Sequence, residues 1–146
     1  PTVKMSKSFA HIRGHAVRML DDPKEIDRTI KRAVTDSGSE IAFSDDPEKA
    51  GVNNLLGIYK VITDKSQDDV LTDFADARGY GDLKSRVAEV VINALEPIQQ
   101  RYYEFMDDPA ELDRMLASGA ESAAAVATPK MDEIKRRVGF TLPQYQ

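Results

Sequence analysis

A short basic segment near the N-terminus carries the residues best suited to phosphate chemistry. Lys4 and Lys7 lie three positions apart and can place two ammonium groups around one polyphosphate. Ser6 and Ser8 add hydroxyl donors for phosphate oxygens. Because a lysine ammonium can follow charge that develops on a leaving group, the spacing predicts stabilisation of a departing pyrophosphate. The alternative is a solvated basic tail, which a bare pair of lysines at this spacing would favour.

Metal chemistry has little support in the sequence. His11 and His15 have the i, i+4 spacing that a helix would align, but no acidic residue or cysteine lies beside them, and Gly14 weakens a helix there. The chain has no cysteine, which excludes a disulfide framework and a thiolate metal site. We therefore predict no metal bound by this segment.

The charge distribution limits the kind of nucleic-acid binding to be expected. Residues 1–20 contain four lysines and arginines and no acid, a net charge of +4. Since the whole chain carries −5, residues 21–146 carry −9 and are strongly acidic. Nonspecific affinity for nucleic acid comes from neutralised phosphates, which an acidic domain does not supply. Any RNA contact must therefore use a local basic patch. No apolar run approaches the ~20 residues that a membrane span needs, so we predict no membrane partner and a cytoplasmic location.

The first helix is predicted over residues 21–36. Asp22 suits the N-cap, Pro23 suits the first helical position, and Gly38 suits the stop. Its apolar stripe consists of Ile26, Ile30, Ala33 and Val34.

Two basic clusters are candidate RNA contacts. The first lies on the opposite side of the predicted first helix and consists of Lys24, Arg28, Lys31 and Arg32. Its alternative is a solvated helix face paired with Glu25 and Asp27. The second lies near the end of the last predicted helix and consists of Lys135, Arg136 and Arg137, with Lys130 close by. The alternative to RNA binding is that these cations interact favourably with the helix dipole and aid solubility.

The remaining chain also has helical periodicity. Further helices are predicted over residues 51–63, 66–74, from about 82 to 105 with a kink at Pro97, over 108–116, and over 119–138 with an interruption or kink at Pro129. No segment alternates as a strand does. The predicted fold is an all-α helical bundle of about five or six helices behind a short catalytic-loop stub. We expect this chain to be the C-terminal piece of a larger enzyme, because a nucleotide-binding α/β domain needs roughly 100 residues before the loop.

Several blocks in the chain resemble bacterial tryptophanyl-tRNA synthetases. The segment from Lys4 to Ser8 spells KMSKS, the phosphate-handling loop of class I aminoacyl-tRNA synthetases. The blocks that follow in family order are DDPKEI at 21–26, IKRAVTDS at 30–37, GVNNLL at 51–56, GYGDLK at 79–84 and PIQQRY at 97–102. Gly119-Ala120 and Val138-Gly139-Phe140 continue the series. Two positions depart from the family: Phe9 stands where Asp is common, and Pro129 lies in the last helix. Such departures fit a divergent second synthetase copy.

The resemblance implies a function for each part of the chain. The family's full-length enzyme is a homodimer whose N-terminal Rossmann-like domain activates tryptophan with ATP and Mg²⁺ and transfers it to tryptophan tRNA. Residues 1–20 would be the loop and connector, 21–140 the helical anticodon-binding domain, and 141–146 a tail. Lys7 would stabilise the leaving pyrophosphate with support from Lys4, Ser6 and Ser8 would assist, and Met5 would pack the ATP-binding loop. This segment alone would bind no cofactor.

Two other functions remain open at this stage. A tyrosyl-tRNA synthetase fragment would share the architecture, although the blocks after KMSKS argue against it. A stand-alone helical module that binds RNA or a protein partner would explain the basic clusters but leave KMSKS a coincidence, as would a pure scaffold.

Overall fold

The computed structural model describes residue 14 and residues 16–141. The chain divides into two compact units, residues 1–100 and residues 101–146, and the division falls within a helix. The described part contains helices and no strand, so the predicted all-α class is confirmed. The elements in chain order are α1 (Pro23–Lys31), a 3₁₀ turn (Pro47–Lys49), α2 (Ala50–Thr63), α3 (Gln67–Asp73), α4 (Tyr80–Asp107) and α5 (Pro109–Arg137).

Side-chain caps set the starts of three helices, as the sequence predicted. The Asp22 carboxylate accepts hydrogen bonds from the backbone N–H groups of Lys24 and Glu25, at 2.8 and 2.9 Å. The Ser66 hydroxyl caps α3 and an Asp108 carboxylate oxygen caps α5, each by accepting a backbone N–H three residues on. Each cap satisfies a donor that has no partner within the helix.

The first helix is shorter than predicted. It ends at Lys31 with Arg32 as the C-cap, not at residue 36, and Gly38 lies beyond the helix. Val34 is 83% exposed, so its assignment to the apolar stripe was wrong. Beyond the helix the chain passes close to the first turn of α2: a β-carbon on Gly51 would lie only 2.0 Å from the Val34 carbonyl oxygen.

Residues of α1 to α4 form the core of the first unit. Tyr59 and Phe74 meet edge to face there, with ring centroids 4.9 Å apart. The buried apolar side chains are Ile26, Ile30, Val52, Leu55, Leu56, Tyr59, Val70, Phe74, Leu83, Val87, Ala88 and Val91. Eight of these twelve belong to α1, α2 and α3, the C-cap Phe74 of α3 included.

The buried side chains of helix α4 lie in its first half. Leu83, Val87 and Val91 are buried, whereas Ala94 is exposed and Ile98 is 44% exposed. The helix is continuous through Pro97. Periodicity identifies a shared face of a helix but not how far along it a neighbour packs.

The second unit contains the end of α4 and the whole of α5. Helix α5 runs unbroken over 29 residues where the sequence predicted two helices, and both Gly119 and Pro129 lie inside it. Of the two predicted outcomes at Pro129, an interruption or a kink, the interruption was therefore wrong; the many alanines around this residue favour the helix. None of the residues of α5 is buried. Phe140 is 68% exposed, and residues 142–146 lie outside the described residues.

Among the described residues, no helix is both long and apolar enough to cross a bilayer.

Candidate functional site

The predicted phosphate-handling loop lies outside the described residues. Lys4, Met5, Ser6, Lys7 and Ser8 therefore keep the roles that the sequence assigns to them as predictions. The histidine pair also lies in this part of the chain. The structure shows how the chain that follows the loop enters the helical unit.

That entry is fixed by a hydrogen-bonded turn. The Arg18 backbone N–H donates to the Asp21 carboxylate at 2.9 Å, and the Asp21 N–H donates back to the Arg18 carbonyl at 3.1 Å. The side-chain amide of Gln99 on α4 donates to the carbonyl oxygens of Met19 and Asp21, at 2.8 and 3.0 Å. The segment that leads from the loop into α1 is thus attached to α4 immediately before the Asp22 cap.

The four predicted cations of the first basic cluster lie together. Lys24, Arg28, Lys31 and Arg32 line one surface depression along α1, and the rest of its lining is Pro23, Asp27 and Ile92. The lysine and arginine side chains thus share this depression with the apolar side chains of Pro23 and Ile92, a combination that suits a phosphate together with an adjoining flat or apolar group.

Two of these four cations have acidic partners. Arg28 pairs with Glu25, and Lys31 pairs with Asp27 at 2.9 Å. In the described part of the chain neither Lys24 nor Arg32 makes an ion pair. The alternative interpretation is a solvent-exposed helix face whose cations pair with acids of the same helix, and it accounts for two of the four cations. Lys24 and Arg32 are therefore the cations best able to bind a ligand.

The second basic cluster divides in the same way. Arg137 pairs with Glu133 at 2.6 Å, and Lys130 pairs with the same carboxylate at 2.9 Å. Lys135 and Arg136 lie in the last turn of α5 and have no acidic partner within the described ranges. Their position also complements the negative end of the helix dipole.

A polar network that the sequence analysis did not predict connects the loop after α1 to the start of α4. The Tyr80 hydroxyl donates to the Asp36 carboxylate, 2.9 and 2.8 Å from its two oxygens. The Lys49 ammonium donates to the Tyr80 oxygen at 3.0 Å and lies 3.5 Å from Asp36. Asp36 and Tyr80 both belong to blocks that carried the family resemblance, so the sequence did single out these two residues. Lys49 belongs to none of those blocks, and nothing in the sequence pointed to it.

Charge and hydrogen bonding set the protonation of this network. Burial opposes ionisation of Asp36, but the hydrogen bonds from Tyr80 and a backbone N–H, with the charge of Lys49, outweigh it and lower the pKa of that carboxyl. The hydrogen bond to Tyr80, helped by the Asp36 charge, raises the pKa of Lys49 although partial burial opposes it. Both groups are therefore charged at neutral pH.

Because of this network, the stability of the folded protein should fall as the pH becomes acidic. Because the pKa of Asp36 is below the ordinary 3.8 when folded, its contribution is present above pH 3.8 and is lost as pH falls through the folded value. We expect Asp36→Asn to be less stable at neutral pH and to lose less further stability between about pH 5 and pH 3. Thermal unfolding midpoints across this range measure the effect. Asp45→Asn, in the same loop, is the matched control, and an unchanged slope in Asp36→Asn would contradict the assignment.

Asn53 holds the loop that precedes α2. Its side-chain oxygen accepts the Ser44 N–H at 3.0 Å, while its amide N–H donates to the Ser44 carbonyl. With Gly51 beside the Val34 carbonyl and with Val52, Leu55 and Leu56 in the core, five of the six residues of the GVNNLL block have structural roles. This block therefore supports the scaffold of the site and not a ligand contact.

A second polar cluster holds α3 in place. The Asp73 carboxylate accepts from the Tyr59 hydroxyl at 3.0 Å and pairs with Lys65 at 2.5 Å. The guanidinium of Arg86 donates to the Asp73 carbonyl and pairs with Asp76 at 2.8 Å. Hydrogen bonds from Lys65 and Tyr59 lower the pKa of the Asp73 carboxyl. These contacts fix α3 against α2 and α4.

Comparison with known proteins gives a consistent result over nearly the whole chain. A profile of the family described as tRNA synthetases class I (W and Y) matches residues 1–96, a range that includes residues 4–8 and α1. A tryptophan–tRNA ligase of Thermosynechococcus vestitus is 44% identical over 97% of this chain. Tryptophan–tRNA ligases of Listeria monocytogenes and Bacillus subtilis are 45% and 40% identical, each over 96% of it. The chain spans about two fifths of the length of each of these relatives (42%, 41% and 41%).

Proposed function

Because this chain belongs to the family of class I tRNA synthetases for tryptophan and tyrosine, we propose that it is part of a tryptophan–tRNA ligase. The observation that carries the proposal is the identity of 40–45% to bacterial tryptophan–tRNA ligases over 96–97% of the chain. The complete enzyme would activate tryptophan with ATP and Mg²⁺ and transfer it to tryptophan tRNA. This segment would contribute the KMSKS loop and the anticodon-binding helical domain.

The proposed chemistry of the loop is electrostatic. When the tryptophan carboxylate attacks the α-phosphate of ATP, a bond to pyrophosphate breaks and negative charge builds on the leaving group. Lys7 would stabilise that charge, Lys4 would support it, and Ser6 and Ser8 would donate hydrogen bonds to phosphate oxygens. We assign Mg²⁺ to the ATP substrate and to no residue of this segment.

The test of the activity is amino-acid-dependent pyrophosphate exchange by the full-length parent. We expect exchange with tryptophan and little with tyrosine or other amino acids. Exchange with tyrosine alone would favour the tyrosyl-tRNA synthetase alternative, and no exchange with either amino acid would contradict the proposal.

The family resemblance also supports a cytoplasmic homodimer as the working form of the parent. Light scattering of the full-length protein would give twice the chain mass if the dimer forms, and the chain mass itself if it does not.

The basic clusters are the proposed tRNA contacts of this segment. Among the seven predicted residues, Lys24 and Arg32 on α1 and Lys135 and Arg136 on α5 have no acidic partner in the described structure, so their charge is available to phosphates. We expect the double change Lys24→Ala with Arg32→Ala to weaken tryptophan tRNA binding roughly tenfold at moderate salt. It should also reduce the slope of log affinity against log salt by about 1 to 2, because each lost phosphate contact removes up to about one released counterion.

The matched control removes two cations from outside both clusters. Lys60 and Lys84 also make no ion pair with a described residue, so Lys60→Ala with Lys84→Ala lowers the net charge equally. Filter binding at two salt concentrations, with an unrelated tRNA as competitor, separates the outcomes. If both double variants lost the same amount of tRNA affinity, the cations of the first basic cluster would have no specific role in tRNA binding. Equal binding of every RNA with a steep salt slope would favour the generic RNA-binding module.

A further inference from the structure

We propose that the depression along α1 binds an unpaired RNA nucleotide whose base carries an amino group. This inference rests on the proposed function, because it takes the first basic cluster as a tRNA contact and names the part of an RNA that fits it. Besides the four cations of that cluster, the lining contains the carboxylate of Asp27 and the apolar side chains of Pro23 and Ile92. A surface that binds phosphates alone has no use for these three groups.

The two cations without acidic partners lie at opposite ends of α1. Lys24 is the second residue of the helix, and Arg32 is its C-cap. Because a helix rises 1.5 Å per residue, their backbones are about 12 Å apart along the helix axis. This separation lets each cation bind a different phosphate of one strand, with a nucleotide between them placed over the depression. The arrangement therefore favours a strand of RNA over a free phosphate ion.

The apolar part of the lining indicates that the base is unpaired. Ile92 on α4 is half-buried and packs against the hydrophobic core, so its position is fixed, and Pro23 is exposed at the start of α1. In a duplex the two flat faces of a base are covered by its neighbours in the stack. Only an unpaired nucleotide can turn a face of its base towards a protein surface, where apolar side chains or an arginine guanidinium can cover it.

The Asp27 carboxylate gives the depression a means of distinguishing bases. It is 38% exposed and pairs with Lys31 at 2.9 Å. Since a carboxylate has about four acceptor positions, it can hold Lys31 and still accept a hydrogen bond from a base amino group such as that of cytosine. Uracil has a carbonyl oxygen at the same position, which a carboxylate repels. A carboxylate also repels phosphate, so its place in the lining favours a ligand that carries hydrogen-bond donors beside its phosphates.

The experiment compares binding of octacytidylate and octauridylate to the full-length parent at neutral pH by fluorescence anisotropy. The two probes carry the same number of phosphates, so counterion release contributes equally to both. We expect the parent to bind octacytidylate about fivefold more tightly or better. Asp27→Ala should abolish this preference. Because it also removes the partner of Lys31, it should raise the affinity for octauridylate about twofold or more.

Glu25→Ala is the matched control. It also removes from α1 a carboxylate that pairs with a cation, Arg28, but Glu25 does not line the depression. It should therefore raise the affinity for both probes by a similar factor and leave their ratio unchanged. Equal binding of the two probes by the unsubstituted parent would overturn the proposal. So would an Asp27→Ala variant that keeps the same ratio as Glu25→Ala.

A nuclear magnetic resonance signal tests the base contact independently of affinity. The δ1 methyl signal of Ile92, identified by its absence from Ile92→Val, should shift upfield when octacytidylate is added, because a base stacked over a methyl group shields it. Inorganic phosphate at the same ionic strength should cause no such shift. The same response to phosphate, or none to octacytidylate, would overturn the proposal and leave a phosphate contact only. Pyrophosphate exchange with tryptophan involves no tRNA, so it tests the proposed activity separately.

Discussion

Replacing Lys7 by alanine in the full-length parent should lower tryptophan-dependent pyrophosphate exchange by about 100-fold or more. The reason is that the Lys7 ammonium is proposed to interact most strongly with charge that develops only as pyrophosphate leaves, and removal of one preorganised electrostatic contact has an effect of this size. Tryptophan binding should change much less, because the amino acid carries no part of that charge. Steady-state exchange kinetics and tryptophan titration measure the two effects separately.

Lys60→Ala is the control for this prediction. It removes one lysine from the last turn of α2 and should leave exchange within about twofold of the unsubstituted enzyme. If Lys7→Ala were as active as Lys60→Ala, the assignment of residues 4–8 to pyrophosphate chemistry would fail. If it lost tryptophan binding to the same extent as rate, Lys7 would act on the ground state and not on the leaving group.

The largest expected effect on stability is that of Gly51→Ala. The added β-carbon would lie 2.0 Å from the Val34 carbonyl oxygen and 3.0 Å from its carbon, both backbone atoms that cannot rotate away. Either the segment after α1 or the first turn of α2 must shift. We expect the free energy of unfolding to fall by about 3 kcal/mol, which lowers the midpoint of thermal unfolding by roughly 10 °C.

Gly57→Ala provides a matched comparison on the same helix. A β-carbon on Gly57 meets no atom within 4 Å, so this change should gain helix propensity and stabilise by about 0.5–1 kcal/mol. Calorimetry of the two variants side by side should therefore give shifts of opposite sign. Shifts of the same sign would mean that the close approach between Val34 and Gly51 does not restrict the side chain at position 51.

The sequence predicted the features that depend on neighbouring residues. The caps at Asp22, Ser66 and Asp108 each involve a side chain and a backbone N–H two or three residues away, so the signal is contained in the local pattern. The shared face of Lys24, Arg28 and Lys31 follows in the same way from their spacing. The KMSKS segment and the family blocks came from resemblance and not from physical reasoning.

What the sequence could not predict depends on tertiary contacts. The Val34 carbonyl approaches Gly51 across 17 positions, just beyond the end of α1. Tyr80 meets Asp36 across 44 positions, and no spacing rule connects them. Helical periodicity continues through Ile98 but does not show that packing stops before it. In the first basic cluster, the spacing of the lysines and arginines predicted that they share a face. It did not predict which of them pair with acidic side chains.

The Lys49 contacts also predict the order in which the lysines of this protein react with electrophiles. Acylating reagents attack the neutral amine, and the hydrogen bond to Tyr80 and the nearby Asp36 charge hold the Lys49 amine in its protonated form. Its side chain is also only 18% exposed, so reagents reach it poorly. Lysine acylation, whether by a labelling reagent or by a cellular acetyl donor, should therefore modify exposed amines such as that of Lys31 well before it reaches Lys49.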